Sequence, residues 1–211
     1  MNMKLLGALL CAGTLTAAAS CVAAPSTVTY VATLHPMNTK VTGTAASGEA
    51  RFTVTGDQLT IDITMKGVSP DTVHWQHFHG FTDNRNATCP TAAADVNHDG
   101  IIDIIETEPT SGITMVPFDA NPAGMDIGHG KYPTASASGT YSYHVTVSLP
   151  ALDAAFAKAY HDNKIDLDRR VVFIHGVPAD TKLPASVATL DHLPAQVVLP
   201  IACGKIERAA Q

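Results

Sequence analysis

Short runs of strict two-residue alternation, separated by turn residues, recur along this chain and limit it to a β fold. In residues 27–34, Val28, Tyr30, Ala32 and Leu34 share one face of an extended segment. In 141–149, Tyr141, Tyr143, Val145 and Val147 do the same. Residues 50–55 and 59–65 form two further strands, and Gly56-Asp57 between them suits a tight hairpin. Residues 72–81, 171–175 and 196–203 complete the set. One helix interrupts, over 150–163, where Pro150 suits the first turn and Leu152, Phe156 and Tyr160 recur every four residues. That stripe is read as core packing. The expected fold is an all-β Greek-key sandwich or barrel with one short helix.

The first residues direct the chain out of the cytoplasm. Lys4 precedes an apolar run from Leu5 to Ala12, followed by small residues, the form of a secretory signal peptide over 1–24. Two cleavage patterns fit. Ordinary cleavage near Ala23 leaves a mature domain of 25–211, whereas Ala18-Ala19-Ser20-Cys21 fits a lipoprotein signal with a lipid anchor on Cys21. No later segment is long and apolar enough to span a bilayer. The formal net charge of −6 comes without any basic cluster, so nucleic acid is not an expected partner.

Export changes what the cysteines mean. Cys11 leaves with the signal, and Cys21 is lost or lipidated, so Cys89 and Cys203 remain. In an oxidising compartment one leftover pair defaults to a disulfide. Two buried free thiols are the other reading.

Two motifs carry chemistry. The first is His74-Trp75-Gln76-His77-Phe78-His79-Gly80, with His77 and His79 one pleat apart on the same face of a strand. Two such imidazoles can chelate one metal ion; copper, zinc, iron and nickel all accept them. A surface histidine pair is the plainer alternative, although a second histidine-bearing strand follows at His175. The second motif is Asp95-Val96-Asn97-His98-Asp99-Gly100-Ile101-Ile102-Asp103-Ile104-Ile105-Glu106. It matches the twelve-position calcium loop throughout: oxygens from Asp95, Asn97, Asp99, the Ile101 carbonyl, Asp103 and a bidentate Glu106, with Gly100 at the sharp turn. Pro90 before it and Pro109 after it leave little room for the long flanking helices of a paired calcium-binding hand. A lone calcium site that stiffens an insertion is expected, against the alternative of a solvated acidic loop.

Taken together, three segments resemble the Cu/Zn superoxide dismutases. His74 to Asn84 followed by Cys89 is similar to that family's copper-ligand strand, Val171-Val172-Phe173-Ile174-His175-Gly176 to its later ligand segment, and Ile201-Ala202-Cys203-Gly204-Lys205-Ile206 to its ending. Order and rough spacing agree from Val28 to Ile206. Tyr30 to Leu34 with Gly43-Thr44 is also similar, less closely, to chordin-type β domains. The resemblance implies His77, His79 and His175 as copper ligands and Cys89–Cys203 as a disulfide. It gives His74 a supporting hydrogen-bonding role. His129, between Gly128 and Gly130, is a candidate fourth copper ligand, and His98, at a non-ligand position of the calcium loop, is another.

The departures shape the functional expectation. Asp95 stands where the family has its metal-bridging histidine, and Ala123 stands at a zinc-ligand position. Zinc is therefore not expected, and the calcium loop takes the place of the zinc loop. Pro200 replaces the arginine that guides superoxide. Two readings follow: an exported copper-dependent superoxide dismutase, or a copper-binding or calcium-stabilised envelope protein without catalysis on the same scaffold.

Overall fold

The computed structural model describes residues 26–161, 164–190 and 192–210. The signal segment and Cys21 lie outside the described residues. The strands are β1 (Thr27–Pro36), β2 (Ser47–Thr55), β3 (Gln58–Lys66), β4 (Gln76–Gly80), β5 (Ile113–Pro117), β6 (Thr140–Ser148), β7 (Val171–His175), β8 (Pro200–Lys205) and β9 (Glu207–Arg208). The helices are α1 (Thr39–Thr42), α2 (Ile104–Ser111), α3 (Leu149–Ala159) and α4 (Ala195–Val198).

The strands run in the order β5-β4-β7-β8-β1-β2-β3-β6, and every named pair is antiparallel. The connections from β3 to β4 and from β6 to β7 cross over intervening strands, the Greek-key pattern. The sheet curls until β5 and β6 are its two free edges. The β2–β3 hairpin pairs Thr55 with Gln58 around Gly56-Asp57, and Gly56 takes φ 54°, which its missing Cβ permits.

Alternation decides what fills the curl. Leu34, Phe52, Ile61 and Ile63 point inward from one half, and Phe78 and Ile174 from the other. Phe118 joins the halves, with ring centroids 5.5 Å from Phe52 and 5.9 Å from Phe78. Helix α3 closes the open side. Ser148 caps it by accepting from Ala151 N–H, and Phe156 packs 6.0 Å from Phe78. Just past α3, the Tyr160 hydroxyl reaches the carbonyls of Thr114 and Met115, occupying acceptors along the β5 edge.

Several elements differ from the sequence expectation. The strand expected over 72–81 is continuous only from Gln76 to Gly80, with Val73 before it making an isolated antiparallel bridge to Thr134. The strand expected over 196–203 divides into α4 and β8. β5 was not anticipated, and the expected single helix has company. α2 forms despite Pro109, because Asp103 and Glu106 make a reciprocal capping box at its start. It ends at Gly112, at φ 75°, where an added Cβ would lie 2.0 Å from the Gly80 carbonyl oxygen. Only glycine lets α2 turn into β5 so close beside β4.

Cys89 and Cys203 form a disulfide, with Cα atoms 5.9 Å apart. It joins the segment leading to the acidic loop to β8, at the position opposite Phe173 of β7.

Candidate metal centre

Strand register brings three histidines together. β4 and β7 are antiparallel, with His77 opposite Phe173 and His79 opposite Val171. His175 N–H donates to the Trp75 carbonyl, one pleat further along. His77, His79 and His175 therefore share a face, the one turned away from the Phe78 core. One ligand nitrogen from each lies within 4.8 Å of the others, and this is the one such cluster of potential ligands among the described residues. All three side chains are buried, at 3%, 1% and 2% exposure.

Each ring spends one nitrogen on the protein and leaves the other bare. His175 Nδ1–H donates to the Val198 carbonyl at 2.8 Å. The Tyr132 hydroxyl donates to the Ile127 carbonyl at 2.8 Å, so its oxygen accepts from His77 Nε2–H at 3.1 Å. His79 Nε2 lies 3.1 Å from Thr114 Oγ1. What remains is His77 Nδ1, His79 Nδ1 and His175 Nε2: these are the buried side-chain polar atoms without a hydrogen-bond partner among the described residues. Buried polar atoms are seldom orphaned, and each costs about 1–3 kcal/mol when it is. Three in one place amount to a preformed donor set for a metal. Fixing the tautomer through the other ring nitrogen is also how metal-ligating histidines are oriented.

The electrostatics keep the lone pairs free. Burial pushes His77 well below the usual imidazole range, reinforced by His175 and His79. Burial, then His175, does the same to His79, partly offset by the nearby Gly112 backbone. Burial brings His175 down to about 4. At neutral pH all three rings are uncharged, as nitrogen ligands must be.

The surroundings are mostly apolar. Trp75, Ile104, Ile127, Leu190, Leu193 and Val198 line the space beside His77 and His175. Tyr132 stacks on Trp75 at 5.1 Å and meets the His77 ring edge-on at 5.4 Å. Tyr132 went unnoticed in the sequence, where nothing links it to a histidine 55 positions away. His74 sits outside the cluster, its ring within reach of the His175 and Ser69 carbonyls and stacked on Tyr141. It braces the segment before β4 against the end of β7.

His129 is not brought to the three. Its side chain is 87% exposed and pairs with Asp126 at 3.0 Å. His98 is exposed in the acidic loop, at φ 61°.

The acidic loop is organised around its own backbone. Asp95 accepts from Asp99 N–H and Gly100 N–H, Asn97 from Asp99 N–H, and Asp99 from Ile101 N–H. Glu106 reaches back to Val96, Asn97 and Asp103 N–H. Asp103 caps α2 and also accepts from Ala188 N–H at 2.7 Å. Asn38 clamps the loop from outside: its side-chain amide donates to the Ile102 carbonyl and accepts from Ile102 N–H, and it also donates to the Pro200 carbonyl. Ile101 itself packs into the core.

No protein-family model matches the sequence, and no curated protein matches it. Among solved structures, the chain is similar to the Cu/Zn superoxide dismutase from Brucella abortus at 20% identity and a TM-score of 0.45, over 85% of this chain and 99% of that one. At that score the likeness adds nothing to the strand order and register described above.

Proposed function

We propose that this chain is an exported copper-binding protein, with residues 1–24 as its signal and 25–211 as its working domain. His77, His79 and His175 hold the copper. The observation that carries this reading is the convergence of three buried, unpartnered imidazole nitrogens. A neutral all-nitrogen set of three suits copper in both common oxidation states. Three histidines completed by a water would also suit zinc; Ala123 at the zinc-ligand position of the resemblance favours copper, and His129, the candidate fourth copper ligand, points to solvent.

Loop 95–106 is proposed as a structural calcium site, supported by its full match to the twelve-position pattern. Its acidic side chains would exchange some backbone hydrogen bonds for the ion. Extracellular calcium is abundant enough that modest affinity suffices. Under the lipoprotein alternative, Cys21 would tether the domain to a membrane surface.

A second reading, superoxide dismutation, is favoured by the ligand count: three protein nitrogens leave a copper coordination position open. Copper would supply one-electron redox cycling, so that two superoxide ions and two protons become dioxygen and peroxide. The chain's part would be to orient the imidazoles and keep water out. Against it, Pro200 offers no cation to attract the anion, and no lysine or arginine lines the space beside His77 and His175.

Metal analysis of the mature protein, with dismutase activity assayed on the same sample after copper loading, tests both readings. One copper per chain is expected. Rapid dismutation would establish the enzyme, and copper without activity the binding protein. Absence of copper uptake would overturn the proposal.

A further inference from the structure

The walls around the three histidines differ in chemistry from one side to the other. Beside His77 and His175 they carry no charged group: apart from Thr114 the lining is apolar, with Trp75, Ile104, Leu190 and Leu193 in it. A hydrated cation crossing there would lose its water with no charged group to compensate. Beside His79 lies a separate cavity of about 180 Å³. It is lined by His79, Glu108, Gly112 and Ile113, and it shares Ile104, Thr114 and Leu190 with the first space. Ile113 is 41% exposed and marks the open side, whereas His79 is 1% exposed. Glu108, on α2, is the one charged side chain in this lining, and its carboxylate makes no ion pair among the described residues.

We propose that this cavity is the route by which a metal cation reaches the three histidines, with Glu108 as the group that gathers it. The inference rests on the copper reading above and adds a path and a residue to it. A carboxylate near the opening holds a partly hydrated cation loosely. The Thr114 hydroxyl offers one more oxygen on the way. His79 is the histidine in this lining, and its Nδ1 has no hydrogen-bond partner among the described residues. Glu108 lies outside loop 95–106, so its role is separable from calcium. The same negative charge disfavours small anions on this path, which fits a site that accepts metal as its cargo.

Trp75 is the single tryptophan of the chain, and its ring lies 6.2 Å from the His77 ring, so its fluorescence quenching reports copper arrival. The test is the rate of quenching when metal-free protein meets weakly buffered copper, for the wild type, Glu108→Gln, Glu108→Asp and a distant control, Glu49→Gln. Steering by one charge predicts loading slowed roughly threefold or more in Glu108→Gln at low salt, with the gap closing at high salt. Final copper content stays at one per chain, and both Glu108→Asp and the control load near the wild-type rate. Equal rates for Glu108→Gln and wild type would overturn the route while leaving the centre intact. Loss of stoichiometric copper in Glu108→Gln would also overturn it, by making Glu108 a resident ligand. A wild type that takes up no copper would remove the centre itself.

Discussion

The histidine cluster and the acidic loop are both candidate cation sites, and they commit their potential ligand atoms in opposite ways. In the loop, the side chains of Asp95, Asn97, Asp99, Asp103 and Glu106 all accept hydrogen bonds from backbone N–H groups. That region is satisfied as it stands, and an ion there would replace bonds already made. In the cluster, three buried nitrogens have nothing to bond. The cluster holds three uncommitted donors, whereas the loop's side chains already have backbone partners. Metal should therefore matter more to the cluster than to the loop, for both occupancy and stability.

The largest expected effect comes from removing a ligand. His77→Ala, His79→Ala or His175→Ala should each abolish stoichiometric copper binding, read by metal content after desalting. In the absence of metal, His79→Leu should cost little stability or even gain some, because an unsatisfied buried nitrogen is replaced by hydrocarbon. A metal-free loss well beyond the cost of the Nε2–Thr114 contact would mean that Nδ1 already has a partner.

Acid should separate the regions next. The three rings have folded-state pKa values depressed below the ordinary 6.5, with His175 near 4. The unfolded chain takes up protons first as pH falls. Their contribution is intact above about pH 6.5 and drains away toward pH 4, by up to roughly 1.4 kcal/mol per pH unit for each ring that titrates only when unfolded. Denaturant midpoints of metal-free protein across that range would show it. Midpoints that hold steady down to pH 4 would contradict the buried neutral cluster.

Tyr132→Phe probes how firmly the donors are set. It removes the acceptor for His77 Nε2–H and frees the ring to turn. Loss of such an outer partner should weaken copper binding by about 10–100-fold while stoichiometry survives. Unchanged affinity would show that packing by Trp75 alone holds the ring.

Calcium should give the smallest effect. Asp99→Asn keeps an oxygen for Ile101 N–H, and the Ser186 hydroxyl, which now donates to Asp99 Oδ2, can rotate to accept instead. Its charge is lost while its bonds are kept. The thermal midpoint in chelator should match wild type, and the rise on adding calcium should shrink. An identical rise in both proteins would leave the loop a self-bonded acidic turn.

How legible each region was follows from the range of the forces that build it. Two-residue alternation is local, so β1, β2, β3, β6 and the shared face of His77 and His79 could be read directly. The hairpin at Gly56 was readable for the same reason. Resemblance supplied His175 as their partner; the geometry behind it is the β4–β7 register, which no local pattern encodes. β5 escaped notice because Ile113–Pro117 is short and lacks clean alternation, its last three residues all being buried. α2 was discounted for Pro109, although Asp103 and Glu106 already carried the spacing of a capping box. His129 drew attention through its flanking glycines, but that loop turns it outward to Asp126. Tyr132, Glu108 and the apolar wall from Leu190 and Leu193 become neighbours of the site only through tertiary packing, so sequence spacing could not reveal them.

The central claim is that three neutral imidazoles hold bare nitrogens ready for one metal ion. Nitrogen-15 NMR of histidine-labelled, metal-free protein at neutral pH, repeated after one equivalent of copper(I), tests it most directly. The account predicts neutral rings protonated at Nε2 in His77 and Nδ1 in His175, with the unprotonated nitrogens of His77, His79 and His175 shifting together at one equivalent. Cationic rings in the metal-free protein, or shifts confined to exposed histidines such as His129, would contradict it.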